Sequence, residues 1–218
     1  MNAFAFGGLR RRLALASMLV VSAIAALALL APRANAAPTY GCTALPIAYG
    51  PVFNLTIPLQ ANPFFFPCAD DDAVGGGGLT IPGVLSVTGT REGHTRALAN
   101  GGTAQASWGA LTLKVGGLPT IKVGALNSQA SATCVGGNPV LNASSSVVGL
   151  KIGLLPALGL ISGPLKIGLP NGSYVALNES QDFGVPGLLL RNALHVHTPN
   201  RDIYLGASEV AAFCDNLT

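Results

Sequence analysis

The sequence predicts an all-β protein: an antiparallel β-sandwich of short strands with two disulfides and a proline-rich, irregular N-terminal part. Apolar and polar residues alternate in short runs after residue 83, as they do in half-buried strands. Glycine or proline separates these runs, which is typical of the turns of antiparallel sheets. No window combines a helical apolar period with capping residues, so the sequence predicts no helix.

Residues 1–36 have the pattern of a secretory signal peptide. Three arginines at 10–12 precede an uncharged, mainly apolar run at 13–30, and the Ala-Asn-Ala at 34–36 fits a small-residue cleavage site. We expect this segment to be removed and the mature chain to be secreted or held at the cell envelope. The general and twin-arginine export routes both stay open, and a run of this length is also compatible with a retained membrane anchor.

Loss of the signal segment changes the charge balance of the chain. The full sequence has 12 basic and 9 acidic residues, and four of the arginines lie within residues 1–36, which leaves 8 basic against 9 acidic residues. A nearly neutral chain has no long-range field that attracts nucleic acid. We therefore expect no nucleic-acid partner, and contact with a membrane only if the signal segment is retained.

The first part of the mature chain, residues 37–82, is predicted to be a proline-rich segment packed on a β-sandwich domain at 83–218. Proline recurs through the segment and confines any short strand there to a sheet edge. Three phenylalanines at 64–66 are interpreted as a plug over one end of the core, the alternative being an exposed patch for a partner. Three aspartates at 70–72 are interpreted as a solvated acidic loop, because they lack the spacing of a calcium site.

From residue 83 onward the alternation predicts one strand after another. The predicted strands lie at 83–90, 103–115, 128–134, 145–152, 164–169 and 172–177, and two more run from Leu188 to Cys214 around a turn at 198–201. The charged stretch at 91–96 is predicted to be a loop. We expect the rest of the domain to be organised around the C-terminal pair of strands.

Four cysteines, all in the mature part, predict two disulfides in an exported chain. Three pairings of Cys42, Cys68, Cys134 and Cys214 are open. We favour Cys42–Cys68 with Cys134–Cys214, because each bridge would then fasten one end of the domain. The cysteines are too far apart in sequence for the common zinc-binding spacings.

Every lysine of the chain lies in a repeated tetrad, Leu/Ile-Lys-Val/Ile-Gly. The four lysines are Lys114, Lys122, Lys151 and Lys166. On a strand, each lysine points away from its two apolar neighbours. The favoured interpretation is that they keep exposed faces soluble and block edge pairing. The alternative is a cationic surface that binds an anionic cell-wall polymer.

Two histidines on the first C-terminal strand are the best candidates for a metal site. His195 and His197 are two residues apart and share one face of a strand. Paired imidazoles are ligands for zinc or copper, and His94 or Asp202 is a candidate third ligand. The favoured interpretation is an exposed polar face without metal, because Arg191 on the same face is unfavourable for a cation. We therefore expect no cofactor.

No motif in the sequence predicts an enzyme. The G-x-S-x-G pentapeptide of serine hydrolases is absent, and all four cysteines are expected to be paired. Except for Glu209, the acidic residues fall in predicted loops or at strand ends. Glu179 and Asp182 are the remaining candidates for the two carboxylates of a glycoside hydrolase. We assign no catalytic residue.

Three segments resemble the choice-of-anchor P family, exported proteins of high-GC Gram-positive bacteria. They are 130–134 (ASATC), 168–181 (GLPNGSYVALNESQ) and 191–196 (RNALHV), the last followed by a short strand and the final cysteine, Cys214. The resemblance implies a secreted or surface-displayed β-domain and implies no catalytic residues.

Together these observations predict a structural or adhesion-type surface domain without catalytic activity. Its partner would be a cell-wall polymer or another surface protein. One alternative is a carbohydrate-binding or cell-wall-polymer-binding module, for which Trp108, Tyr174 and Tyr204 are the candidate aromatic residues. The other alternative is a secreted hydrolase.

Overall fold

The structure is a computed structural model that describes residues 37–51, 55–64, 66–82, 84–181 and 185–214. Residues 37–218 form one compact unit, and the predicted signal segment lies outside the described residues. The strands of the described part are β1 (Thr39–Gly50), β2 (Thr56–Ala61), β3 (Asp71–Gly75), β4 (Gly78–Ile81), β5 (Leu85–Thr88), β6 (Arg91–Leu98), β7 (Gly101–Trp108), β8 (Leu111–Val115), β9 (Ile121–Val123), β10 (Ala125–Val135), β11 (Asn138–Ile152), β12 (Leu158–Ile161), β13 (Leu165–Gly168), β14 (Tyr174–Gln181), β15 (Leu188–Thr198) and β16 (Arg201–Phe213).

These strands form two antiparallel sheets, one of which curls into a half-barrel. The first sheet has six strands in the order β13-β14-β15-β16-β1-β2. The second has ten, in the order β3-β6-β7-β10-β11-β9-β8-β5-β4, with β12 on the outer edge of β11. The predicted all-β, antiparallel fold class is confirmed. The two C-terminal strands and the turn between them also lie where the alternation places them.

The core between the sheets has two differently packed regions. Large side chains fill one of them, with Trp108, Leu113, Leu194 and Leu205 almost fully buried. Alanines from several strands fill the other, where the small side chains allow the two sheets to approach closely. Trp108 also fixes the two sheets to each other, because its indole N–H donates to the carbonyl oxygen of Pro46 over 2.6 Å.

Both predicted disulfides are present, Cys42–Cys68 and Cys134–Cys214. Their positions differ from the expectation that each fastens a different end of the domain. All four cysteines pack against the same alanine-rich part of the core. Cys134 belongs to β10 and Cys214 directly follows β16, so this bridge joins the second sheet to the first.

The irregular segment predicted at the start of the mature chain contains a long central strand instead. β1 pairs with β16 on one side and with β2 on the other. The prediction that proline confines this segment to an edge is wrong. Pro46 is accommodated because the β1–β2 register already shifts between Ala44 and Ile47, where a missing N–H breaks no regular ladder bond.

The charged stretch predicted as a loop is strand β6, between β3 and β7. Its charged and polar side chains alternate with Gly93 and Thr95, which are buried. Gly93 is small enough to lie against the Pro46 ring, which a Cβ at this position would meet at 3.1 Å. Arg91 lies on the same face as Gly93 and Thr95, so neither face of the strand shows an apolar pattern, which explains the wrong prediction.

The predicted acidic loop at 70–72 is also part of regular structure. Asp71 and Asp72 begin β3, and the Asp71 carboxylate accepts the backbone N–H of Asn62 over 2.7 Å. Asp70 accepts the backbone N–H of Ala97 over 2.8 Å. The carboxylates thus satisfy backbone donors.

The three phenylalanines predicted to form one plug do not act together. Phe64 packs on a small cluster with Leu45 and Leu190, and Phe66 is exposed. Residue 65 lies outside the described residues.

The first sheet changes the face that it buries half-way along its strands. In β16, Ile203 and Leu205 lie in the core, and beyond Gly206 the core positions are Ser208 and Val210. Gly206 has φ of 64°, and Asn178 on β14 has φ of 53°. A left-handed residue breaks the alternation of strand side chains, so strict period-two reasoning fails beyond this row.

Candidate functional site

Four side chains on three neighbouring strands of the first sheet form a polar cluster, which we call the histidine cluster. It consists of His195 and His197 from β15, Asp202 from β16 and Glu179 from β14. The register places His197 opposite Asp202, while Glu179 is paired with the residue at 192. The cluster therefore spans the hairpin that ends the domain and the strand beside it.

The distances within the histidine cluster are those of hydrogen bonds. His195 Nδ1 lies 2.8 Å from Glu179 Oε2, and His195 Nε2 lies 2.8 Å from Asp202 Oδ1. His197 Nδ1 lies 2.7 Å from the same Asp202 Oδ1. One carboxylate oxygen thus faces a nitrogen from each imidazole. Both partners of His195 are carboxylates, so the ring is not hydrogen-bonded to a hydroxyl or thiol that it would activate as a nucleophile.

Two tyrosines hold the imidazole rings in place. Tyr204 stacks on His195 with ring centroids 4.4 Å apart, and Tyr174 stacks on His197 at 4.7 Å. The ammonium of Lys166 lies 3.6 Å from the centroid of the Tyr174 ring, a cation–π contact. Because each ring packs against another ring, its rotation is restricted and its nitrogens stay directed at the carboxylates.

Burial and charge act in opposite directions on this cluster. Burial alone would lower the pKa of His195, but hydrogen bonds to Glu179 and Asp202 outweigh it and raise that pKa. The hydrogen bond from His195 lowers the pKa of Glu179. Burial raises the pKa of Tyr204 to about 12, so its hydroxyl stays protonated at neutral pH.

The structure corrects the predicted environment of the histidines. His195 is 4 % exposed, so the expected solvent-facing histidine pair is wrong for this residue. Arg191 donates to Ser145 Oγ of the opposite sheet over 2.7 Å and to Ser180 Oγ over 2.7 Å. Of the two candidate third ligands, Asp202 joins the cluster. His94 belongs to a separate group on β6, where its Nδ1 lies 2.8 Å from Asp72.

The sequence predicts no role for Glu179 except as a candidate glycosidase carboxylate together with Asp182. Asp182 lies outside the described residues, and Glu179 is engaged with His195. Its place in the cluster depends on the pairing of β14 with β15, for which the local sequence carries no signal. The Asp202 position has one: two residues between β15 and β16 place residue 197 opposite residue 202.

The four lysines are exposed, but they do not form one ladder. Lys122 and Lys151 are opposite each other on β9 and β11, and Lys114 lies on β8 beside them. Lys166 belongs to the other sheet and covers Tyr174. The buried neighbours Leu113, Ile121 and Ile152 confirm for three tetrads that lysine faces away from the core.

An exposed apolar segment, residues 153–165, is a second candidate site, which we call the apolar lobe. It contains an edge strand, β12, which pairs with β11. Leu154 is fully exposed at a turn, Leu160 is 70 % exposed, and Leu155 and Leu158 are also exposed. The lobe contains no charged residue, and the nearest lysines in sequence are Lys151 and Lys166.

The predicted aromatic platform for a carbohydrate is not assembled. Trp108 is 2 % exposed within the core, while Tyr174 and Tyr204 are stacked on the histidines.

The fold and its sites define a disulfide-linked antiparallel β-sandwich with a carboxylate–histidine cluster and an apolar lobe. No protein-family model, curated protein or solved structure matches the chain. Among the described residues, there is no helix of the length and apolar character needed to span a membrane.

Proposed function

We propose that the protein is an exported, non-enzymatic attachment module that binds a lipid surface carrying anionic headgroups. The exposed apolar lobe is the single observation that carries the proposal. Two disulfides indicate folding in an oxidising, extracytoplasmic compartment, and residues 1–36 supply an export signal. The resemblance to an exported surface family agrees with this role.

The apolar lobe gathers four exposed leucines in one short segment, whereas exposed leucines elsewhere, such as Leu55 and Leu98, lie singly. Seven consecutive residues at 154–160 are exposed, and four of them are leucine. A soluble domain rarely leaves such a patch uncovered unless it binds something. Transfer of one leucine side chain from water into hydrocarbon contributes about 1.5–3 kcal/mol. Two leucines at the tip would therefore supply most of the free energy of a reversible attachment.

The base of the lobe is held firmly, so its exposure belongs to the folded state. The Asn178 side chain is buried and donates to the carbonyl oxygens of Ile161 and Gly163 over 3.0 and 2.9 Å. At the tip, the Leu155 N–H bonds to the Ile152 carbonyl over 3.0 Å and closes a turn. A rigid tip loses little conformational entropy when it enters an apolar phase.

The surrounding charge favours an anionic lipid surface over a neutral one. Lys151 directly precedes the lobe on β11, and Lys122 lies opposite it on β9. A lysine near an anionic membrane surface contributes about 1 kcal/mol. Leucines at the tip with lysines behind them match acyl chains below phosphate headgroups. A hydrated polysaccharide would match the lysines but leave the leucines in water.

Vesicle sedimentation tests this proposal. Disulfide-intact residues 37–218, which lack the apolar run at 13–30, are mixed with phosphatidylcholine vesicles or with vesicles that also contain phosphatidylglycerol. We expect binding to the anionic vesicles. The double variant Leu154→Ser/Leu155→Ser should weaken it about a hundredfold or more. Leu98→Ser, which removes an exposed leucine from the β6–β7 end, is the matched control and should bind normally.

Three results would overturn the proposal. The wild-type protein could fail to sediment with either vesicle. It could sediment with purified cell-wall polymer instead, through the lysines, which would support the polymer-binding alternative. Analytical ultracentrifugation could show a dimer that Leu154→Ser separates, in which case the lobe is an interface between two copies of the chain.

A further inference from the structure

We propose that His195, His197 and Asp202 form a binding site for a divalent transition-metal ion such as zinc. Their candidate ligand atoms, two imidazole nitrogens and a carboxylate oxygen, all lie within 4.8 Å of one another. Zinc is commonly bound by three such protein ligands with a fourth position left for water. This inference is independent of the apolar lobe and of lipid binding.

The direction of the nitrogens is the strongest observation. His195 Nε2 and His197 Nδ1 both face Asp202 Oδ1, at 2.8 and 2.7 Å. Tetrahedral zinc with ligands at 2.0–2.1 Å separates its ligand atoms by about 3.3 Å. Zinc binding would therefore require the Asp202 carboxylate to rotate outward and the two imidazole nitrogens to approach each other, since the ligand atoms are now up to 4.8 Å apart.

Glu179 supplies the outer partner that metal-binding histidines need. An imidazole bound to a metal is neutral, and its remaining proton is held by a carboxylate or carbonyl behind it. His195 Nδ1 lies 2.8 Å from Glu179 Oε2, so its N–H would donate there while Nε2 faces the ion. This partner also selects the tautomer that leaves Nε2 free.

The charge of the site suits a divalent cation. In the metal-free cluster both nitrogens of His195 face carboxylates, so a bound ion would take the place of the proton between Nε2 and Asp202, which is 5 % exposed. Close carboxylates of this kind are unfavourable unless a cation neutralises them. Lys166 is the nearby fixed cation, and it lies over the Tyr174 ring. A bound Zn²⁺ would balance the two carboxylates directly.

Access and rigidity complete the argument. The His197 side chain is 28 % exposed, so an ion and a water ligand can approach from its side while His195 and Asp202 stay covered. Stacking on Tyr174 and Tyr204 fixes both rings, and thus the ligands are arranged before an ion arrives. Nitrogen ligands exclude calcium and magnesium, which prefer oxygen alone.

The chain contains a matched control for this site. His94 is also bonded to one carboxylate, Asp72 at 2.8 Å, and lies 3.6 Å from Glu92. That group has one imidazole instead of two and its acidic residues are half exposed. General affinity of surface histidines for zinc would appear at both places, whereas the proposed site needs only His195, His197 and Asp202.

Calorimetric titration of chelator-treated, disulfide-intact residues 37–218 with zinc chloride tests the inference. We expect one zinc ion per chain and an increase in melting temperature with zinc. His197→Ala should abolish the binding and His94→Ala should preserve it. Glu179→Gln should weaken it by about 10–100-fold without changing the stoichiometry. Copper should bind more tightly than zinc at the same place.

Imidazole ¹⁵N NMR provides a second readout that does not depend on how well a variant folds. On addition of zinc to the wild-type protein, the signals of His195 Nε2 and His197 Nδ1 should shift, and His195 Nδ1 should stay protonated. Absence of any zinc heat and of any imidazole shift would overturn the site. So would binding that survives His197→Ala, or that His94→Ala removes, or that calcium reproduces.

Discussion

His197 and Asp202 face each other across the C-terminal hairpin, with Nδ1 and Oδ1 2.7 Å apart. Only Pro199 and Asn200 separate the two strands, so the turn sets this pairing directly. Asp202 also accepts from His195, which makes one buried carboxylate the shared partner of two rings. The stability of the hairpin and the properties of the cluster therefore depend on the same residue.

Asp202→Ala should strongly destabilise the metal-free protein. The variant leaves His195 Nε2 buried without its partner, and removal of one member of a buried pair costs about 3–5 kcal/mol. Urea unfolding measures the loss. Asp72→Ala is the control, because it removes a half-exposed carboxylate from His94 and should cost much less. Equal losses for the two variants would contradict the buried role of Asp202.

The two disulfides should contribute unequally. The Cys134–Cys214 bridge closes 80 residues and the Cys42–Cys68 bridge closes 26. The chain-entropy relation gives about 4.5 and about 3.5 kcal/mol for loops of these lengths. Guanidinium unfolding of the double variants Cys134→Ala/Cys214→Ala and Cys42→Ala/Cys68→Ala measures both contributions. A larger loss for the Cys42–Cys68 pair would contradict this order.

Gly206→Ala should destabilise the domain more than Gly172→Ala does. Both glycines have positive φ, 64° and 73°, so both variants acquire similar backbone strain of about 1 kcal/mol. A Cβ at Gly206 would collide with Leu126 Cδ1, while a Cβ at Gly172 meets nothing within 4 Å. We expect the collision to add about 1–3 kcal/mol. Thermal unfolding of the two variants compares them. Similar melting temperatures would show that the two sheets can move apart between Gly206 and Leu126 at little cost.

Glu209 should make the protein less stable as the pH rises. Burial raises the pKa of Glu209 from 4.5 to about 7, so the folded state binds this proton more tightly than the unfolded chain. Its favourable contribution is complete below the unfolded value and is lost as the pH increases through the folded value. The loss between pH 4.5 and 7 has an upper limit of about 3 kcal/mol.

Glu209→Gln isolates this effect. We expect the variant to become more stable relative to wild type as the pH changes from 5 to 8, measured by urea unfolding at each pH. Glu92→Gln, at a half-exposed carboxylate, is the control and should show a much smaller change. A stability difference that is the same at both pH values would contradict the raised pKa of the partly buried Glu209.

Local pattern was sufficient for the strands whose two faces differ clearly. β15 and β16 flank a polar turn, and the alternation on either side of that turn predicts both strands, although it breaks at Gly206 in β16. The sequence does not predict β1 as a central strand, because proline is rare in such strands. The hydrogen-bond ladder between β1 and β2 is already interrupted at Pro46, and only the tertiary structure reveals this interruption. The sequence does not predict β6 either, because its charged residues are typical of a loop and its buried residues, Gly93 and Thr95, form almost no apolar face.

The histidine cluster could be predicted in part. Two-residue spacing places His195 and His197 on one face, and the short turn places Asp202 beside them. Their burial depends on rings and carboxylates from other strands, above all Tyr174 and Glu179 on β14. Such contacts arise from tertiary pairing, which no local period encodes.

The first and last strands of the domain lie side by side. β1 pairs with β16 over its whole length, from Thr39 opposite Phe213 to Gly50 opposite Asp202. β16 is also the partner of β15, so the middle of the six-stranded sheet is missing until the end of the chain has arrived. During synthesis from the N-terminus, β1 therefore has β2 beside it but lacks its second neighbour, β16, until the last strand is made. Such distant pairing makes folding slow. The order of synthesis thus delays completion of the first sheet, and with it the Cys134–Cys214 bridge, until the last strand has been made.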